Sequence, residues 1–65
     1  MPQATVTSSK LGLVAVRVRR NPRQELLQGR HTDLFVGDRI EVKRIVNNPY
    51  LVFVHKVNRS LNLGQ

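Results

Sequence analysis

Two runs of the chain alternate between apolar and polar residues. In the first, Val14, Val16 and Val18 recur at every second position while Arg17 and Arg19 fall on the opposite side, the period of a strand with one buried face. In the second, Arg39-Ile40-Glu41-Val42-Lys43 sets Ile40 and Val42 against three charges, which predicts another half-buried strand. The alternation slips by one residue at Arg44-Ile45-Val46, where a bulge or strong twist is expected. Asn47-Asn48-Pro49 then carries turn chemistry. Tyr50-Leu51-Val52-Phe53-Val54 is apolar on both faces and continues into His55-Lys56-Val57. This predicts a central strand covered on both sides, paired antiparallel with the strand before it. Asn58-Arg59-Ser60 reads as a further turn and Leu61-Asn62-Leu63 as a last short strand.

Between the alternating runs the pattern changes. Asn21, Pro22 and Gln24 stand where a helix N-cap, a first-turn proline and a capping-box partner belong, and Gly29 is a natural terminator. Residues 22–28 are therefore expected to form a helix of about two turns, pinned by Leu26 and Leu27. Residues 1–10 are small and polar, and are expected to be a flexible lead-in or a frayed strand through Thr5-Val6-Thr7. Residues 11–65 then make one domain, mainly β: a small SH3-like, partly open barrel of about five short strands with one short helix. Its expected core is Val14, Val16, Val18, Leu26, Leu34, Val36, Ile40, Val42, Leu51, Phe53 and Val57.

Composition narrows the function. At 65 residues there is room for one small core, and the 40% hydrophobic content is enough to build it rather than leave the chain disordered. No cysteine is present, so disulfides, thiolate metal sites and cysteine nucleophiles are excluded, and a reducing, cytoplasmic setting is expected. The apolar runs are too short to cross a bilayer. Eleven Lys and Arg against four Asp and Glu give a net charge of +7, a field that favours phosphate-bearing or otherwise acidic partners.

Catalysis has no foothold. His31 and His55 are far apart in sequence and form no metal-ligand spacing with the scattered acids. His55, in phase with Leu51 and Phe53, reads as a core-edge residue and His31 as a solvated one. Ser8, Ser9 and Ser60 have no nucleophile elbow around them, and the glycines are too dispersed to cradle a phosphate. No enzyme and no cofactor are expected. What remains is a basic surface: Arg17 and Arg19 on one strand face, Arg20 and Arg23 flanking the start of the expected helix, where free N–H groups also favour an anion, and Arg30 and Lys43 beside them. Such a stripe can solubilise a strand, or it can bind. The expected function is a non-enzymatic basic module engaging nucleic-acid backbone, DNA and RNA not being distinguishable, or an acidic protein surface. Only Phe35, Tyr50 and Phe53 are aromatic, too few for a platform that reads bases.

The segment Gly37-Asp38-Arg39-Ile40-Glu41-Val42-Lys43-Arg44, then Asn48-Pro49-Tyr50-Leu51-Val52-Phe53-Val54 and Ser60-Leu61-Asn62-Leu63, resembles the FeoA family of small SH3-like domains. Arg23-Gln24-Glu25-Leu26-Leu27 is similar to that family's short leucine-bearing helix. The stretch Gln28-Gly29-Arg30-His31-Thr32-Asp33 departs from it, since there the helix runs almost directly into the glycine turn. The resemblance implies an alternative function: a cytosolic adaptor in ferrous-iron transport, acting by protein contact and not by catalysis.

Overall fold

The computed structural model describes residues 2–57. Five strands make up its regular structure: β1 (Gln3–Lys10), β2 (Leu13–Val18), β3 (Gln24–Leu26), β4 (Arg39–Lys43) and β5 (Val52–Lys56). They form one antiparallel sheet in the order β3-β2-β1-β4-β5. The fold is thus mainly β, as the alternation predicts. The expected turn and strand at residues 58–63 lie outside the described residues, and no helix among those described is long and apolar enough to cross a membrane.

Of the two forms expected for the polar N-terminal stretch, the structure has the strand and not the lead-in. It is β1, the longest strand and the middle of the sheet, with Ala4 opposite Val18 on one side and Ile40 on the other. Its turn into β2 is tight: Leu11 and Gly12 both have positive φ, 54° and 81°, the type I′ geometry whose twist suits a hairpin. Between Val6 and Ser8 the pairing with β2 slips by one residue. The bulge reverses the alternation, so that Ser9, opposite Val14, lies on the inner side and its hydroxyl donates to the Leu34 carbonyl at 2.8 Å.

The expected helix is absent. Residues 24–26 pair with residues 15–17 of β2 instead, and no helix occurs among the described residues. Asn21 does use its side chain as a cap would, but Oδ1 accepts the N–H of Arg23, two residues on, at 3.0 Å. That closes an Asx-type turn, and Arg20 just before it has a φ of 69°. Two turns of helix cannot stand without packing, whereas the extended form gains ladder bonds and delivers Leu27 to the core.

Two further expectations change. The phase slip anticipated at Arg44-Ile45-Val46 falls in the facing strand: His55 pairs with Glu41 and Phe53 with Val42, leaving Val54 as the extra residue. Nor is the apolar run 50–54 a central strand among the described residues, where β5 is an edge of the sheet. The apolar content of that run is explained by Leu51, fully buried just before β5. Leu51 N–H donates to Leu26 O at 3.0 Å and its carbonyl accepts Gln28 N–H at 2.7 Å. This single parallel bridge, Leu27 with Leu51, ties the two ends of the sheet together. The ladder itself does not close.

The core lies on the inner side: Ala4, Val6, Val14, Val16, Leu27, Leu34, Ile40, Val42 and Leu51, with Val18 and Phe53 packed against it. Leu26 and Val36, expected inside, are 49% and 66% exposed, and Val57 is half-buried. Leu26 stands outside because in a strand its neighbour Leu27 points the opposite way.

Candidate nucleic-acid interface

The register of β2, β1 and β4 assembles the outer face. Thr5 lies opposite Arg17 on one side and Arg39 on the other, so these three side chains form one row across the sheet. One step along, Arg19 N–H donates to Gln3 O at 3.2 Å, which continues the pairing past β2 and sets Arg19 beside Gln3. Arg17, Arg19 and Arg39, with Gln3, Ala4 and Thr5, line a shallow hollow of about 290 Å³. All three arginines are exposed.

The candidates chosen from the sequence divide accordingly. Arg17 and Arg19 share this hollow, and Arg20 joins Arg19, Pro2, Gln3 and Val18 around an adjoining one. Arg23 is exposed in the turn before β3, where its N–H binds Asn21. With no helix there, the N-terminal anion site expected beside Arg20 and Arg23 does not exist. Arg30 belongs to the opposite end of β2, donating to the carbonyl of Leu11 in the hairpin at 3.1 Å. Lys43 closes β4, exposed and opposite Val52.

Arg39 is the residue that sequence reasoning passed over. Its charge parity with Glu41 and Lys43 marked it as outward, but only the pairing of β1 between β2 and β4 sets it across Thr5 from Arg17.

The acids stand elsewhere or are engaged. Glu25 takes two 2.8 Å bonds from Arg44 and one of 2.9 Å from Asn21. The Arg44 hydrogen bonds hold its carboxyl below the ordinary carboxylate value, against a smaller opposing effect of burial. The same contact raises Arg44, which is thereby committed to the seam between β3 and the end of β4. Glu41 lies 2.9 Å from His55 Nε2 and Asp38 3.3 Å from Lys56 Nζ. Glu25, Glu41 and Asp38 thus each have a cation beside them, Arg44, His55 and Lys56 in turn.

Both histidines differ from expectation. His31 is half-buried with its ring 5.2 Å from that of Phe53, edge to face, and its Nε2 is 3.0 Å from Gln28 O. His55 is exposed on the edge strand, its Nδ1 2.9 Å from Lys56 O. A second hollow of about 330 Å³, lined by Leu13, Leu26, Leu27, Tyr50 and the Arg30 stem among others, is apolar.

Fold and site together define a class: a small open antiparallel β module with an arginine-lined outer face. Comparison of the chain with family models, with curated proteins and with solved structures finds no match.

Proposed function

We propose that this protein is a non-enzymatic basic module that binds the sugar-phosphate backbone of nucleic acid through the outer face of β2, β1 and β4. The observation that supports this reading is the convergence of Arg17, Arg19 and Arg39 on one hollow, with the Thr5 hydroxyl and the Gln3 amide beside them. Guanidinium groups present planar forks of donors that match phosphate oxygens, and hydroxyl and amide groups are common further contacts to backbone. Contacts of this kind position a partner without reading its sequence.

Three neutralised phosphates imply a slope of log affinity against log salt of roughly −2.1 to −2.7. In a fluorescence polarisation titration with a labelled oligonucleotide, affinity then falls about 20- to 40-fold between 50 and 200 mM salt. Arg17→Glu with Arg19→Glu should weaken binding on every sequence alike, while the circular dichroism spectrum is unchanged because both side chains point away from the core. If wild type binds no oligonucleotide at low salt, the reading is wrong and the FeoA-like adaptor, acting by protein contact, takes its place. If the double variant binds as wild type does, the hollow is not the site.

A further inference from the structure

The same face discriminates between forms of nucleic acid, and we infer that its partner is a duplex and not a single strand. This rests on the function proposed above. The first observation is where the aromatic residues are. The chain has three, one Tyr and two Phe, and none lines the arginine hollow. Phe53 lies opposite the fully buried Val42, packed against the core and the His31 ring. Phe35 has its ring 5.7 Å from Lys56 Nζ. Tyr50 borders the apolar hollow with Leu13 and Leu26. Proteins that hold single strands without reading sequence add base stacking on aromatic faces to their backbone contacts. Here a single strand would find backbone contacts alone.

The second observation is the arrangement of the cations. Arg17 and Arg39 are separated by one intervening strand, hence by two strand spacings, about 10 Å. Arg19 is displaced from Arg17 along the other axis, by roughly 7 Å of extended chain. The three form a triangle and not a line. One backbone running across the sheet meets only one side of such a triangle. Two backbones bordering a groove, about 6 to 12 Å wide in a duplex, can meet all three, with Arg17 and Arg19 on one and Arg39 on the other.

Where charge is the whole attraction, the denser polyanion wins. Counterion release contributes about 0.9 per phosphate for a duplex and 0.7 for a single strand, so even a single strand that met all three cations would bind about sixfold more weakly than the duplex at 50 mM salt, taking equal affinity at 1 M. The test is a competition titration of the full chain at that salt. A labelled 16-base-pair duplex is displaced by the unlabelled duplex or by either component strand, at equal phosphate concentration, with DNA and RNA duplexes as separate arms. The expected result is a duplex preference of at least about fivefold, reduced to about threefold in Arg39→Gln, which removes the cation assigned to the second backbone. Equal or tighter binding of a single strand overturns the inference while leaving backbone binding intact. Absence of binding to any of these probes overturns the proposed function as well. The two DNA and RNA arms show which duplex geometry the triangle suits.

Discussion

Val6→Ala distinguishes a core strand from a lead-in. Val6 sits in the polar stretch that reads from sequence as a lead-in or a frayed strand, yet it is 1% exposed and faces Val16 across β1 and β2. Its backbone is also held, N–H to Asp38 O and carbonyl from Gly37 N–H, both at 2.9 Å. Truncation to alanine leaves those bonds alone and removes two methyl groups. At ~0.8 kcal/mol each, lost burial amounts to about 1.6 kcal/mol. A residual space of about 50 Å³, if the neighbours stay in place, adds roughly 1.2 kcal/mol. The expected loss is therefore about 2 to 3 kcal/mol, a large share of the roughly 3 to 10 kcal/mol that a domain of this size holds. Urea unfolding followed by circular dichroism reads it directly, and in a thermal scan it corresponds to a drop of roughly 10 °C or more. Val46→Ala, at a site 86% exposed, provides the control and should shift stability by less than about 0.5 kcal/mol. If the two variants unfold within error of each other, β1 does not build the core and the strand order is wrong.

The Glu25 pair gives a pH signature. Its folded carboxyl titrates below the ordinary value of 4.5 because Arg44 binds the ionised form, so its stabilisation is complete above that value and is lost as pH falls through the lower, folded one. Acid titration of stability should be shallower below pH 4.5 in Glu25→Gln than in wild type, and identical slopes would show that the seam is not held by this contact. Gly37→Ala meets no atom within 4 Å but would place a side chain at a φ of 97°. It should cost about 1 to 2 kcal/mol through the backbone alone, measured as a lower urea midpoint with an unchanged m-value, and an unaltered midpoint would mean that the turn relaxes freely.

The parts of the fold that were legible in the sequence are those where local pattern and tertiary placement agree. Val14 and Val16 recur at every second position on the side opposite Arg17, Ile40 and Val42 alternate with charges, and all four are buried. Residues 21–28 show the opposite case. Asn21, Pro22 and Gln24 satisfy the local rules of a helix start, but those rules do not weigh what an edge of β2 offers. Three residues of ladder and a buried Leu27 outweigh two turns of helix that nothing would cover. The serine- and threonine-rich start of the chain misleads in a similar way. A strand flanked on both sides needs few large side chains of its own, since Ala4 and Val6 suffice where β2 and β4 supply the bulk.

By itself the sequence determined a basic, cysteine-free chain with two half-buried strands and outward-facing arginines. Those are matters of composition and of period-two alternation, which a single strand already expresses. Which cations meet was decided only by tertiary structure. Arg17 and Arg39 are far apart in the chain, and neither carries a signal of the other. They share one row because β1 lies between β2 and β4 and puts Thr5 in register with both. The same pairing leaves Arg30 at the far hairpin and binds Arg44 to Glu25 at the seam. Register is a relation between strands, fixed by which apolar faces share one core, so it is absent from any single stretch of the sequence.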